Sequence, residues 1–271
     1  MEQDDYIFSR DTETARLEEQ GRQWASATRP ILERVGLGPG MTCLDVGCGP
    51  GQVMRLMGEM VGSSGKVVGV DVDGETGRAA IEHLNRTVNS NFSFVECNLS
   101  DPSPLPEGLF DLTFGRLILI HVPDPVAVLR SMYSATKIGG YVVVQDANMV
   151  TADIQPRPVT WPSFEKLLRG VLERSGKDAY IGTKLPLHFV NGGLGPPDGT
   201  EVYGRVGWLE EVALWTRTTL RSLMPAAHKL GLLTKAEGDE CLAELEEMLK
   251  HKQRYVFSLG LLVSAWKRRT A

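Results

Sequence analysis

Apolar positions along the chain recur with two spacings, and the places where the spacing changes mark the elements. Over the first 35 residues, Leu17, Gly21, Trp24 and Thr28 share one face at helical spacing, with Ser9 or Asp11 placed to cap the helix. Pro30 is expected to break or restart that helix, and Gly36 to end its second piece. From residue 41 short apolar runs alternate with helical patterns. Residues 41–46 read as a strand running into glycines. Gln52–Val61 reads as a helix, with Val53, Leu56, Met57, Met60 and Val61 on one face. The β-branched run Lys66–Asp71 (KVVGVD) is a strand and residues 75–88 a helix. Strands follow at 92–97 and 110–114, a helix at 125–137 and a fifth strand at 141–145 (YVVVQ). Strands alternating with helices predict right-handed βαβ crossovers and a parallel sheet covered on both faces.

After Asp146 the alternation loosens. Trp161–Arg174 reads as a helix, and residues 180–191 as another, with Pro186 as an obstacle. Residues 201–206 suit a strand, 207–230 and 234–252 two helices joined at Gly231, and 255–266 a last strand bent or bulged at Gly260.

Composition narrows the function classes. The chain of 271 residues is 42% hydrophobic and 23% charged, as in ordinary globular domains. A net charge of -5 without a basic stripe argues against nucleic acid as partner, and the tail Lys267, Arg268, Arg269 is too short to change that. Cys43, Cys48, Cys97 and Cys241 form no CxxC pair and no zinc-type spacing with histidine. They are expected to be free thiols in a reducing compartment, and no metal is called for. The acidic start MEQDDYIFSRD lacks a signal-peptide core, and no apolar run is long enough for a membrane span. The expected location is the cytoplasm.

The most informative segment is Leu44-Asp45-Val46-Gly47-Cys48-Gly49-Pro50-Gly51, between the first strand and the next helix. Ligands of open α/β sheets bind at this edge, and glycines let a ligand lie against the main chain. The glycines alternate, unlike the GxGxxG of a dinucleotide site. Asp71 ends the next strand, 20 residues after Gly51, where a carboxylate accepts from both hydroxyls of a ribose. That feature alone is shared with nicotinamide-cofactor sites, so an NAD-dependent oxidoreductase is a rival reading, opposed by the glycine spacing.

LDVGCGPG followed by VVGVD resembles the first two motifs of the class I S-adenosylmethionine (SAM)-dependent methyltransferases. FDLTFGRLILIHVPDP (110–125) is similar to their fourth-strand motif, and IGGYVVVQD (138–146) to their fifth. The likeness covers roughly residues 36–150 and is nearest to the small-molecule group that acts on quinones, sterols and secondary metabolites. It implies an α/β, doubly wound, Rossmann-like fold: a seven-stranded, mostly parallel sheet whose last strand, here 255–266, is antiparallel. N-terminal helices and a helical insertion would be added to it. The corresponding organisation is an N-terminal helical lid at 1–35, a SAM-binding core at 36–150 and a substrate-side half at 151–271. That half carries the insertion (207–252), a candidate dimer contact, within the same domain.

The implied reaction is methyl transfer to a small organic acceptor, yielding S-adenosylhomocysteine. Gly47 and Gly49, with Cys48 and Gln52, would contact the methionyl part. Asp45 would attract the α-ammonium or else hold the loop amides. Asp71 would take the ribose, with Val72 and Asp73 beside the adenine. Asn98 stands where many relatives have Asp, and would accept from the adenine amine or simply shape a turn. Leu99 would pack on the adenine face. Arg116 would face the methionyl carboxylate or loop carbonyls, or form a surface ion pair. His121 has three readings: general base, pocket or cofactor contact, and structural turn with Asp124 capping the next helix. Asp146, Asn148 and His188 are weaker substrate-side candidates. Methyl transfer needs alignment and a dry pocket, so Tyr6 is a lid residue or a packed anchor. The aromatics between 161 and 230 belong to core or pocket and point to an apolar or aromatic acceptor. A SAM-binding protein of this fold with non-methylating, pericyclase-like activity is the other alternative.

Overall fold

The computed structural model describes residues 13–101, 105 and 109–271. Its elements are α1 (Glu13–Arg34), β1 (Thr42–Val46), α2 (Gln52–Val61), β2 (Lys66–Asp71), α3 (Gly74–Thr87), β3 (Asn91–Glu96), β4 (Phe110–Arg116), α4 (Pro125–Ala135) and β5 (Thr136–Asn148). They continue with β6 (Asp153–Gln155), α5 (Trp161–Arg174), α6 (Ile181–Asn191), β7 (Gly199–Tyr203), β8 (Val206–Trp208), α7 (Ala213–Lys229), α8 (Lys235–Leu249), β9 (Val256–Ser258) and β10 (Leu261–Arg268). The chain divides into two compact units. The larger holds Gly21–Asp146, Ile181–Val202 and Val263–Ala271; the smaller holds 13–20, Ala147–Tyr180 and Tyr203–Leu262.

The larger unit is built on the seven-stranded sheet β3-β2-β1-β4-β5-β10-β7. β1 pairs in parallel with β2 on one side and β4 on the other, β2 with β3, and β4 with β5. β10 runs back against β5: the Gly139 amide donates to the Arg269 carbonyl, and the Arg269 amide to that of Gly140. The doubly wound sheet with an antiparallel last strand is the one expected. Its inner strands β1, β2 and β4 are buried on both faces, which explains why they read as continuous apolar runs. α2 lays Val53, Met54, Met57 and Val61 into a core that includes Cys43, Val67, Phe92, Leu112 and Phe114. Burying each of these aliphatic side chains is worth about 1.5–3 kcal/mol. The strand order reverses between β1 and β4, and a switch point of this kind opens a crevice at the carboxyl ends of the strands.

The smaller unit packs α5, α7 and α8 with the three-stranded antiparallel sheet β6-β9-β8. Glu244 of α8 accepts the Val159 and Thr160 amides (3.0 and 2.8 Å) and so caps α5. Arg217 of α7 holds Glu246 of α8 through two hydrogen bonds, at 2.8 and 2.6 Å.

Several expectations need correction. Pro30 does not break α1, which runs through it to Arg34. A mid-helix proline costs about 3 kcal/mol, and the burial of the adjoining Ile31 and Leu32 offsets it. The helix expected at 180–191 does form, as α6 through Pro186, and α7 runs through Pro225. The helix expected at 207–230 starts only at Ala213, because 206–208 pairs with β9. The single strand expected at 255–266 is two strands, and they serve different sheets. β5 is longer than its apolar centre and begins at Thr136, where α4 ends.

Candidate cofactor site at the strand switch

In the larger unit β1 delivers its glycine loop to the switch point. The Gly47 and Cys48 amides both donate to the Val70 carbonyl (2.8 and 3.1 Å), tying the loop to β2. Gly47 has φ +72°, and a Cβ there would meet Ile118 Cδ1 at 2.6 Å. Gly51, at φ +78°, opens α2 without a side-chain cap. Both positions demand glycine for backbone and space together. Gln52 begins α2, half-buried.

Asp71 ends β2, as expected. Its Oδ2 accepts the Gly49 amide at 2.9 Å and its Oδ1 the Asp73 amide at 3.0 Å. Burial raises its pKa, and these hydrogen bonds oppose the rise. The carboxylate is thereby fixed beside the loop, and each oxygen retains a lone pair. Asp73, expected beside an adenine, caps α3: its Oδ1 accepts the Thr76 amide at 3.0 Å. Val72 is 60% exposed, an apolar side chain left open next to Asp71. Beyond β3, Asn98 Oδ1 accepts the Ser100 amide at 3.0 Å, so Asn98 shapes its own turn. Leu99 follows, half-buried.

Asp45 is the anomaly of the site. It is 1% exposed, and its Oδ2 has no hydrogen-bond partner among the described residues. Burial pushes its carboxyl up to about 7; Arg116 and a backbone hydrogen bond from Met54 oppose the rise, and Asp71 adds to it. Arg116, the last residue of β4, has its guanidinium pulled down to about 10 by burial, with Asp45 acting against the shift. Arg116 forms no ion pair among the described residues; its Nη1 donates to Thr28 Oγ1 at 3.0 Å. Cys48 lies buried between these carboxyls, and desolvation drives its thiol further up, so it stays protonated. All four cysteines are free.

The segment after β4 is pinned to β5. The Leu117 amide donates to the Gln145 carbonyl (2.8 Å) and the Ile120 amide to Asp146 Oδ2 (3.2 Å). Leu117 adopts φ +56°, uncommon for a residue with a side chain. His121 is half-buried, and its amide closes a turn onto the Ile118 carbonyl. Asp124 caps α4 through the Ala127 amide at 2.9 Å. The structure therefore gathers Asp45, Gly47, Cys48, Gly49, Gln52, Asp71, Val72 and Arg116 around β1, β2 and β4. Asn98 and Leu99 lie past β3, and His121 past β4. Tyr6 lies outside the described residues.

The sequence reading did not foresee the hydrogen bonds that join Arg116 to Thr28 and Thr28 to Gln145. The available signal was the polar Thr28 within the apolar stripe of α1. In the smaller unit, Asn148 ends β5 with its Oδ1 buried and unpartnered among the described residues. Of the aromatics there, Trp161, Trp215 and Phe257 are core, with Trp161 near Phe164 and Trp215 near Phe257 at centroid distances of 5.1 and 5.8 Å, whereas Tyr180 and Trp208 are exposed.

Comparisons with known proteins place this architecture. A UbiE ubiquinone/menaquinone biosynthesis C-methyltransferase of Xanthomonas axonopodis pv. citri is 35% identical over 144 residues, 52% of this chain and 56% of that protein. A demethylmenaquinone methyltransferase of Lactococcus lactis is 29% identical over 154 residues, 57% of this chain and 58% of that one. The chain spans about half the length of the curated relatives it matches. Among solved structures, BH2331 of Bacillus halodurans, a methyltransferase candidate, shares the fold at a TM-score of 0.59 and 16% identity, covering 91% of this chain and all of that one. Haemonchus contortus phosphoethanolamine N-methyltransferase 2, solved with phosphomonomethylethanolamine and S-adenosylhomocysteine, does so at a TM-score of 0.52 and 17% identity, covering 89% and 52%. The family model for the methyltransferase domain matches residues 37–172, and the chain belongs to that family.

Proposed function

We propose that this chain binds SAM at the β1–β4 switch and transfers its methyl group to a small organic acceptor. The observation that carries the reading is the unpartnered, buried Oδ2 of Asp45 beneath a left-handed glycine loop, with Asp71 locked to that loop through Gly49. A buried carboxylate oxygen without a partner is costly, and a ligand ammonium offsets that cost. When bound, SAM supplies a methyl group on a cationic sulfur, open to in-line displacement with S-adenosylhomocysteine as product.

The chain's own residues bind and orient. Asp45 meets the α-ammonium and Arg116 the carboxylate of the methionyl head, while Gly47, Cys48, Gly49 and Gln52 line it. Asp71 presents one lone pair of each oxygen to the ribose hydroxyls. Val72 and Leu99 flank the adenine, and Asn98 keeps its second carbonyl lone pair for the adenine amine. His121 is the group we assign to take a proton from the acceptor. Residues 36–150 then form the binding core and 151–271 the acceptor side, with 207–252 a surface for a second copy.

The acceptor class we favour is apolar or aromatic, and the matching relatives, named for ubiquinone and menaquinone biosynthesis, support it. Free thiols fit a reducing compartment, and no helix among the described residues is long and apolar enough to cross a membrane. The test is incubation with methyl-labelled SAM and a panel of phenolic and quinol acceptors. Acceptor-dependent label transfer with matching S-adenosylhomocysteine is expected. SAM binding without transfer to any acceptor would favour a non-methylating activity instead.

A further inference from the structure

We propose that Thr28 and Gln145 are positioning residues for Arg116, so that the second half of α1 is part of the machinery that recognises the amino-acid end of the cofactor. This rests on the cofactor reading above. The observation is a directional chain of buried hydrogen bonds, all within the larger unit. Arg116 Nη1 donates to Thr28 Oγ1 at 3.0 Å. Thr28 Oγ1 lies 2.8 Å from Gln145 Oε1 and 3.1 Å from the Trp24 carbonyl. Gln145 Nε2 donates to Ser264 Oγ at 2.8 Å and to the Ala27 carbonyl at 3.3 Å. Thr28, Gln145 and Ser264 are all but fully buried.

The chemistry fixes each orientation. Both N–H groups of Gln145 are used by Ser264 and Ala27, so its carboxamide oxygen must face Thr28. Of the two acceptors near the Thr28 hydroxyl, Gln145 is the closer, and the single hydroxyl proton goes there. A lone pair on Oγ1 is then left for Arg116. A guanidinium has a fixed fork of donors, so holding one nitrogen aims the rest. Without an ion pair to orient it, Arg116 depends on this contact. α1 also abuts the loop helix: a Cβ on Gly21 would meet Gln52 Cβ and Cγ at 2.8 and 2.5 Å. One face of α1 thereby sets two side chains of the site.

The test separates positioning from general structure by comparing ligands with and without the amino-acid head. S-adenosylhomocysteine and 5′-methylthioadenosine share the nucleoside and the sulfur, and only the first carries the carboxylate. Calorimetric titration is carried out on the full chain and on Thr28→Val, Thr28→Ser and Gln145→Leu, with melting temperatures recorded. Thr28→Val is expected to weaken S-adenosylhomocysteine about tenfold or more, the scale of a hydrogen bond to a charged group. It should leave 5′-methylthioadenosine within about twofold, and Thr28→Ser should restore wild-type binding of both. Gln145→Leu, which leaves the Thr28–Arg116 contact but frees the hydroxyl to turn, should show the same selective loss to a smaller degree; it decides the matter if Thr28→Val does not fold. Equal weakening of both ligands, or no weakening of either, overturns the proposal. An unaltered chain that binds neither ligand refutes the cofactor reading itself and the proposal with it.

Discussion

If Asp45 meets the ligand ammonium as proposed, ligand affinity depends on pH, and the size of the effect can be worked from the burial of Asp45. Its carboxyl is lifted from 3.8 to about 7, chiefly by desolvation. At about 1.36 kcal/mol per pH unit, ionising it costs the folded chain about 4 kcal/mol. The sign follows from proton counts. Between about pH 4 and 7 the folded chain holds a proton that the unfolded chain has lost, so stability falls as pH rises through that window. Below the window nothing is lost, and above it the whole cost applies. A ligand ammonium beside Oδ2 favours the ionised form and reverses the balance. SAM binding should therefore release a proton below pH 7, and affinity should fall about tenfold per pH unit, reaching about a hundredfold by pH 5. Asp71, also raised by burial, acts in the same direction, so the control is Asp45→Asn. That variant should lose most of the pH slope, bind SAM about a hundredfold more weakly at about pH 8, and unfold at higher denaturant than the unaltered chain. Calorimetry in buffers of different ionisation enthalpy counts the proton, and urea unfolding at about pH 5 and 8 reads the stability. A flat affinity from about pH 5 to 8, or an Asn variant that keeps the slope, would refute the assignment of Asp45.

Other substitutions probe separate parts of the site. Asp71→Ala should abolish SAM binding and loosen the glycine loop by removing the acceptor of the Gly49 amide; unchanged affinity would sink the ribose role. Gly47→Ala forces a side chain into a left-handed backbone against Ile118 and should cost about 1–3 kcal/mol in urea unfolding, with a wild-type midpoint counting against the loop geometry. His121→Ala should lower turnover more than it lowers SAM affinity, and normal turnover would remove it as the base.

Local signals made much of the fold legible and long-range ones hid the rest. β1, β2 and α2 were readable because a buried parallel strand is a plain β-branched run and α2 keeps its apolar face in helical register. The place of Asp71 at the end of β2, beside the glycine loop, was findable because that strand end lies one βαβ unit beyond the glycines. The break expected at Pro30 was misjudged because tertiary burial outweighs local preference, as Ile31 and Leu32 show for α1. The split of 255–266 into β9 and β10 depends on which sheets are at hand, and no periodicity encodes that. For the same reason Asp45 was seen as one of two things, and only packing revealed its unpartnered oxygen. The link from Arg116 through Thr28 to Gln145 joins residues up to 117 positions apart, beyond the reach of any motif.

The central claim is tested most directly by calorimetric titration of the purified chain with SAM, S-adenosylhomocysteine and NAD. Micromolar binding of the two sulfur nucleosides at one shared site, with none of NAD, is the predicted result. Folded protein, free of copurified nucleoside, that binds neither sulfur compound would contradict the account.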